Sequence, residues 1–273
     1  MAHADDWSGS AGGDGANLRR AGARRARPRA MDLLYVIGPD RTGSGNRDLR
    51  WSLRSVARHA TGVSRVLVAG YPPDWLAEEV VRLPVPNVWP KGKLRNQGVA
   101  LLAAIDAGEL RGEFAWTDDD VILSAPLDLD ALPFFCRGKA IPRPERMESR
   151  GAYAEFLTNT RNTLVSEGYP AVDAVGHSLR RLRADEAPEV RRLFELSGAF
   201  GIEMQAAFQN VRARRERVDF TFRKDWKVRA FDADAVRSGM FSLSDDALKD
   251  RRMRDWLQAE LGEPCRYEKE AAA

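Results

Sequence analysis

The sequence has few cysteines and no long apolar segment, and each absence excludes a class of protein. Cys136 and Cys265 are its two cysteines, and they lie far apart with no CxxC pair. We therefore expect neither a disulfide framework nor a cysteine-ligated zinc site. No apolar run approaches the length of a membrane span, and the first thirty residues lack the apolar centre of a secretory signal. We expect a cytoplasmic protein without a membrane partner.

The excess of positive charge is small and unevenly placed. The chain carries 43 basic and 40 acidic side chains, a net charge of +3. Residues 1–31 contain six arginines and three aspartates, so this segment accounts for the whole excess. A basic segment attracts phosphate groups, but a composition rich in alanine and arginine gives the same excess without any function. Both interpretations stay open.

The length and composition favour a single folded domain with a tail. A chain of 273 residues, 44% hydrophobic and 30% charged, is typical of a globular protein with one substantial core. Residues 1–30 are rich in glycine, alanine and arginine and show no apolar periodicity. We predict a disordered Arg-rich tail over residues 1–30 and one domain over residues 31–268.

Strand and helix patterns alternate in the first half of the chain. Short apolar runs predict strands, and apolar stripes at helical spacing predict helices between them; the predicted strands are 33–37, 65–71 and 113–117, and the predicted helices start at Asn46, as the cap, and at Lys93. This order is typical of a parallel sheet with right-handed crossovers. The predicted fold class is α/β, a single domain with a central, mostly parallel, twisted sheet flanked by helices.

The pattern is weaker after Pro126. Proline and arginine interrupt residues 126–150, where we expect loops. Helical spacing returns over residues 151–167 and 185–213, and residues 218–222 alternate as a strand does. Ser244 is the predicted cap of a last amphipathic helix.

An acidic triplet, Asp118, Asp119 and Asp120, directly follows the third predicted strand. Ligands of open α/β sheets collect beyond the carboxyl ends of the strands. Adjacent carboxylates repel one another unless a cation neutralises them, and Mg²⁺ or Mn²⁺ combines carboxylate ligands with phosphate oxygens. Because side chains alternate along an extended chain, Asp118 and Asp120 are the predicted metal ligands. The alternative is a solvated acidic turn, which the apolar residues on both sides disfavour.

Three segments resemble the donor-binding half of GT-A nucleotide-sugar glycosyltransferases: Asn46–Ser55, Val66–Val68 and Trp116–Leu123. Residues 32–130 carry most of the likeness. Within that fold the chain resembles phage-encoded, DNA-modifying glycosyltransferases and, more distantly, Stealth-type sugar-phosphate transferases of capsule synthesis. The segment from Asp245 to Glu268 also resembles the end of the phage-type proteins.

The resemblance implies a site for a nucleotide-diphosphate sugar, with a UDP-sugar favoured, and for Mn²⁺ or Mg²⁺. Residues 31–130 then bind the donor and residues 131–268 the acceptor. The ion lies at Asp118 and Asp120, and the acidic triplet, Asp119 included, holds the ion and the diphosphate. The matching positions are Gly38, Asp40 and Arg41 near the base or ribose, and Lys93 and Asn96 near the diphosphate or sugar. Lys93 is equally well explained as a surface charge at a helix start.

Two polar segments in the second half supply further candidates. His177 either completes the metal site, accepts a proton, or is an exposed loop histidine. Residues 223–227 combine cations with Trp226, and they either grip a phosphate and place Asp225 as a base or form a solvated turn. Asp120, His177 and Asp225 make up the predicted catalytic set. An inverting enzyme needs a base, for which Asp173 and Asp219 are alternatives, whereas a retaining enzyme needs none.

The likeness to phage proteins implies hydroxymethylated pyrimidines in DNA as the acceptor, in the cytoplasm of a bacterial host. The tail and four arginines are candidate contacts to the DNA backbone: Arg212, Arg214, Arg215 and Arg217. One alternative is a Stealth-like sugar-phosphate transferase that acts on a polysaccharide and releases a nucleoside monophosphate. The other is a non-enzymatic nucleic-acid-binding protein that uses the tail.

Overall fold

A computed structural model describes residues 30–269 except 41, 42, 44, 89–91, 137, 139, 144–150, 175 and 223–226. The predicted tail, apart from its last residue, lies outside the described residues. Arg41 and Asp225, two of the predicted site residues, also lie outside them.

The described residues form seven α-helices, numbered in chain order: α1 (Arg47–His59), α2 (Lys93–Asp106), α3 (Ala152–Ser166), α4 (Ala187–Leu196), α5 (Met204–Arg215), α6 (Ala233–Arg237) and α7 (Arg251–Leu261). The helices expected over 151–167 and 185–213 are confirmed, the latter as α4 and α5. Within the described part of the chain, no helix combines the length and the apolar character needed to cross a membrane.

Twelve strands occur in the described residues: β1 (Met31–Ile37), β2 (Ala60–Thr61), β3 (Val63–Gly70), β4 (Val81–Pro84), β5 (Glu113–Thr117), β6 (Val121–Leu123), β7 (Leu127–Asp128), β8 (Phe134–Cys136), β9 (Arg180–Arg183), β10 (Phe220–Phe222), β11 (Lys227–Val228) and β12 (Met240–Leu243). The three strands predicted in the first half correspond to β1, β3 and β5.

The largest sheet has the order β4-β3-β1-β5-β9. Its first four strands are parallel, and β9 runs antiparallel to β5. The predicted class is confirmed: the chain is a mixed α/β protein whose central, mostly parallel sheet is flanked by helices.

The central strand β1 is buried on both faces, which explains its continuous apolar sequence. Leu34 and Val36 pack into a core with α2, α4 and α5, whereas Leu33, Tyr35 and Ile37 pack into a second core with α1. The alternation of side chains along an extended strand therefore divides β1 between two helical layers.

Strand β6, which follows the acidic triplet, is fixed to α1 by two buried serines. Ser52 Oγ donates to the carbonyl of Val121 at 2.6 Å, and the backbone N–H of Leu123 donates to Ser55 Oγ at 3.0 Å. The Tyr35 hydroxyl lies 2.9 Å from Ser52 Oγ and supplies the remaining partner of that serine. These bonds hold β6 against α1, together with the packing of Val121 and Leu123 against the apolar face of that helix.

Strand β6 belongs to a second, smaller sheet of order β11-β12-β6. It pairs antiparallel with β12, and β12 pairs in parallel with β11. The backbone N–H of Leu243, the last residue of β12, also donates to the carbonyl of Asp120 at 2.9 Å. The acidic triplet therefore forms the turn between the central sheet and this smaller sheet, and both sheets fix its backbone.

The C-terminal segment is attached to α1 by a buried carboxylate. Glu268 accepts from Arg54 Nε at 2.6 Å, from Arg54 Nη2 at 2.9 Å and from Arg50 Nη1 at 2.6 Å. Burial raises the pKa of Glu268, but the hydrogen bonds from the two arginines outweigh it, so the pKa is lowered overall. The arginines on this face of α1 are thus structural.

The helix caps and residues 126–150 differ from expectation. Asn46 is the N-cap residue of α1, as predicted, but its backbone is left-handed, φ 55°, and its side chain makes no cap hydrogen bond. The cap of α7 is Asp250, which accepts from Met253 N at 2.8 Å, whereas Ser244 precedes a short 3₁₀ turn. Strands β7 and β8 replace part of the expected loop, because each pairs with a strand distant in sequence.

Gly70 is the position in the central sheet where a side chain is least tolerated. It has φ +100°, and a Cβ there would lie 2.1 Å from the carbonyl oxygen of Ile37. We predict that Gly70→Ala lowers the free energy of unfolding by about 2–4 kcal/mol in urea titrations. Gly112→Ala is the matched control: φ is +66° with no atom within 4 Å, so its cost is about 1–2 kcal/mol from backbone strain alone. Equal costs would contradict the steric argument.

Candidate metal centre

Two aspartates of the triplet and one histidine converge at the end of β5. Each of Asp118, Asp120 and His177 offers one ligand atom, and these atoms all lie within 4.8 Å of one another. His177 Nδ1 is 3.2 Å from both carboxylate oxygens of Asp120 and 3.6 Å from Asp118 Oδ2. All three side chains are partly buried. The three residues that the sequence analysis named as possible ligands of one ion therefore lie together.

The sheet itself brings His177 to the triplet. Strand β9 runs antiparallel to β5, with Arg180 opposite Trp116. The residues just before β9 therefore lie beside the residues just after β5. This pairing brings His177 next to Asp120, although the two residues are 57 positions apart in sequence.

Arg180, the first residue of β9, holds the segment that carries His177. Its side chain donates to the carbonyls of Ala174 and Gly176 at 3.2 Å each and of Leu179 at 3.5 Å. The residue is 4% exposed, so these bonds form in a dry environment where they stabilise most. Arg180 thereby fixes the backbone on both sides of the histidine.

Lys227, at the start of β11, is a fourth member of the site. Its Nζ lies 3.4 Å from His177 Nε2 and 3.6 Å from Asp120 Oδ2, and its side chain is 45% exposed. Because a charged ammonium is only a donor, His177 Nε2 accepts from Lys227, and Nδ1 carries the proton that faces Asp120. The histidine thus bridges a cation and a carboxylate.

The carboxylates of the triplet are under electrostatic stress. Burial raises the pKa of Asp118, and the charge of Asp120 adds to this effect, although His177, Lys93 and Arg180 oppose it. Burial together with the charges of Asp120 and Asp118 raises the pKa of Asp119 to about 7. A positive charge placed between these groups would lower their pKa values and relieve the repulsion.

The pKa of His177 is also raised, but for a different reason. Burial lowers the pKa of His177, but its hydrogen bond to Asp120 and the charges of Asp120 and Asp118 outweigh burial, so the pKa is raised. A metal ligand must be a neutral imidazole. A raised pKa means that a proton competes with an ion for His177 more strongly than it does at an ordinary imidazole.

The residues present fit a hard divalent ion. Two carboxylates and one imidazole within 4.8 Å form a donor set that Mn²⁺ accepts. The pKa values of Asp118 and Asp119, raised chiefly by burial, give the same indication, because a bound cation would stabilise both carboxylates in their charged form. Asp118, Asp120 and His177 are the residues that would hold the ion.

The predicted donor-binding residues lie at different depths. Gly38 and Asp40 are exposed just after β1, and Asp40 Oδ2 accepts from Gly45 N at 2.6 Å. Lys93 is exposed at the start of α2, and its charge lowers the pKa of Asp118 and Asp119. Asn96 is buried and accepts from Val88 N at 2.9 Å, which anchors the segment before α2.

The other candidate bases are less well placed. Asp173 is buried, and its carbonyl accepts from Gly138 N at 3.3 Å. Asp219 is exposed, just before β10. Neither belongs to the cluster of possible ligands formed by the described residues.

The predicted role of the Arg212–Arg217 run in DNA binding is wrong for its first residue. The side chain of Arg212 is 2% exposed and donates to Glu186 at 2.7 Å, so it does not reach a DNA backbone. Arg215 pairs with Glu189 at 2.8 Å. These arginines join α5 to the start of α4.

Sequence reasoning missed Glu203, the N-cap of α5. Burial raises its pKa to about 7, the Ala206 N–H and the charge of Arg180 oppose the shift, and the charge of Asp118 adds to it. Glu203 therefore lies in the electrostatic field of the site. No local pattern identifies it, since the charges that act on it, those of Arg180 and Asp118, lie far from it in sequence.

No protein-family model matches the chain, and no curated protein matches it. Among solved structures, it is similar to the apo form of the glycosyltransferase GlyE from Streptococcus pneumoniae TIGR4, with a TM-score of 0.42 and 11% sequence identity. The match covers 85% of this chain and 60% of that one, so the chain spans less than two thirds of the length of the structure it matches. The likeness assigns no activity.

The pKa of Asp119 predicts a pH-dependent cost of folding. A folded pKa of about 7, above the ordinary value of 3.8, means that this carboxyl stabilises the fold below pH 3.8 and loses that contribution as the pH rises through 7. At pH 8, without metal, we expect Asp119→Asn to raise the Tm by roughly 2–4 °C, and we expect the gain to shrink towards pH 5.

Thermal unfolding in EDTA between pH 5 and pH 8 measures this effect. Asp255→Asn is the matched control, because Asp255 is 69% exposed in an i,i+4 pair with Arg251. A gain for Asp119→Asn that is the same at both pH values would contradict the assignment.

The contacts of Arg180 predict a positioning role. We expect Arg180→Met to weaken Mn²⁺ binding about tenfold, since the backbone around His177 loses its donors, and we expect Arg180→Lys to restore part of it. Electron paramagnetic resonance of free Mn²⁺ measures the affinity. Arg181→Met, at the next position of β9, removes a contact to Glu113 and should leave the affinity within about twofold. Equal losses in the two methionine variants would exclude a specific role for Arg180.

Proposed function

We propose that the chain is a metal-dependent glycosyltransferase of the GT-A type, which transfers a sugar from a nucleotide-diphosphate sugar to an acceptor hydroxyl. The observation that carries this proposal is the convergence of Asp118, Asp120 and His177 at the carboxyl end of β5. The segment around that triplet is also the one whose sequence resembles GT-A enzymes. An acidic turn without function does not explain why a histidine distant in sequence completes the cluster.

Asp118, Asp120 and His177 hold Mn²⁺ or Mg²⁺ in this proposal. The bound ion stabilises the negative charge that builds on the diphosphate as the bond to the sugar lengthens. The protein keeps the three ligands together before the donor arrives, because β5, β6 and the contacts of Arg180 fix their backbones. Such preorganisation reduces the cost of arranging charges during the reaction.

In this proposal the donor lies across the carboxyl ends of β1 and β5, which are neighbouring strands of the central sheet. Tyr35 pairs in register with Thr117, so the residues after Ile37 and the triplet lie at the same edge. Gly38, Asp40 and Arg41 remain our candidates for contacts to the base or ribose. Lys93 supports the diphosphate, because it is exposed at the N-terminus of α2, where the helix dipole also favours anions.

The acceptor side rests on fewer observations. If His177 binds the ion, an inverting reaction needs another base, and Asp225, two residues before Lys227 in sequence, stays our candidate. Hydroxymethylated pyrimidines in the DNA of a phage, modified in the cytoplasm of its bacterial host, are the first acceptors to test, on the resemblance to phage-encoded enzymes alone.

Mn²⁺-dependent hydrolysis of a nucleotide sugar tests the proposal. Incubation with a panel of UDP- and GDP-sugars should release a nucleoside diphosphate from at least one of them. Asp120→Ala should lower that rate at least about 100-fold, because it removes a ligand of the ion. Asp255→Ala, on the exposed face of α7, is the control that keeps the rate.

The products separate the alternatives. Absence of hydrolysis with every sugar, or hydrolysis that persists in EDTA, would exclude the proposal. Release of a nucleoside monophosphate would instead favour the sugar-phosphate transferase. Label transfer to hydroxymethylcytosine DNA, weakened by salt, would identify the acceptor, and indifference to DNA would remove that acceptor while leaving the transferase.

A further inference from the structure

We propose that Lys227 is the internal counter-ion of the metal centre, whose ammonium leaves the carboxylates when a divalent ion binds and then contacts the diphosphate of the donor. This inference rests on the proposed function. It adds to the three metal ligands a fourth residue, Lys227, which changes its contacts when the ion and the donor bind.

The position of Lys227 carries the first part of the proposal. Its Nζ contacts the outer nitrogen of His177 at 3.4 Å and Asp120 Oδ2 at 3.6 Å, so it touches two of the three candidate ligands. An ammonium placed there partly neutralises the carboxylate of Asp120, the last residue of the triplet. Without a metal ion, Lys227 therefore supplies positive charge that the cluster needs.

A divalent ion and this ammonium compete for the same carboxylate. An ion held by Asp120 and His177 places two positive charges close to Nζ, and like charges at such short distances repel strongly even in a partly hydrated site. The contacts of Nζ to Asp120 and His177 are therefore incompatible with full occupancy of the ligand set. One cation must give way to the other.

The surroundings of Lys227 allow its side chain to move while its backbone stays in place. Lys227 pairs with Ser242 of β12, and β12 pairs with β6, which directly follows the triplet. The side chain is 45% exposed, and its ammonium is carried on a flexible stem of four methylene groups. Nζ can therefore leave Asp120 without movement of the β11 backbone, and it stays within a side chain's reach of the metal centre.

The diphosphate is the anion that a displaced ammonium meets in that region. A nucleoside diphosphate bound to the ion would bring several negative oxygens to the partly exposed side of the cluster, where Lys227 lies. The same lysine thus opposes binding of the ion alone and favours binding of the ion with the nucleotide. Binding of the ion and binding of the nucleotide are therefore coupled, because the charge of Lys227 opposes the first and favours the second.

Binding measurements on Lys227→Met test the coupling. In the absence of nucleotide, we expect the variant to bind Mn²⁺ about threefold to tenfold more tightly than the wild type, measured by electron paramagnetic resonance. In saturating Mn²⁺, we expect it to bind UDP about fivefold more weakly, measured by calorimetry. Lys249→Met is the matched control, because Lys249 forms an exposed i,i+3 pair with Asp246, and it should change neither affinity.

The outcomes separate this inference from the proposed function. If the wild type fails to bind Mn²⁺, or if Asp120→Ala binds it equally well, the metal centre itself is excluded. If Mn²⁺ and UDP bind and depend on Asp120, but Lys227→Met weakens Mn²⁺ binding or leaves it unchanged, only the role of Lys227 is excluded. Unchanged UDP affinity would overturn its contact with the diphosphate. Circular dichroism of Lys227→Met checks that the variant is folded.

Discussion

The repulsion among three successive carboxylates is the constraint around which the site is arranged. Asp118, Asp119 and Asp120 occupy a partly buried turn, where burial raises the pKa of the first two. The turn does not relax by moving outward, because β5 and β6 fix its two ends and the N–H of Leu243 holds the carbonyl of Asp120. Positive charge must therefore come to the turn, from basic side chains or from an ion.

The rigidity of that turn depends on contacts far from it. Strand β6 stays against α1 through the hydroxyls of Ser52 and Ser55, and α1 is in turn bound to Glu268 near the C-terminal end of the described chain. Buried hydrogen bonds of this kind stabilise one arrangement, because any alternative leaves polar groups without partners in a dry environment. The order of the candidate site therefore depends on contacts between residues more than 200 positions apart.

The sequence predicted the parts of the fold that local patterns specify. Strands β1, β3 and β5 are continuous apolar runs, and the triplet was placed correctly because it directly follows one of them. His177 was a candidate because few histidines exist in the chain. Arg180, Glu203 and the contacts of Lys227 were not predicted, since their roles depend on partners distant in sequence. The arginines of α5 suggested contacts to a DNA backbone for the same reason: a charge pattern does not specify its partner.

The type of basic residue at each position follows from the geometry that it must satisfy. Arg54 binds Glu268 and two backbone carbonyls, and Arg180 binds three carbonyls around His177. A planar guanidinium with five donors suits several fixed acceptors at once. Lys227 instead meets one carboxylate oxygen and one imidazole nitrogen at the edge of the site. A compact charge on a flexible chain loses little when it changes partner, so a lysine is the residue type expected where a cation must yield its place to an ion.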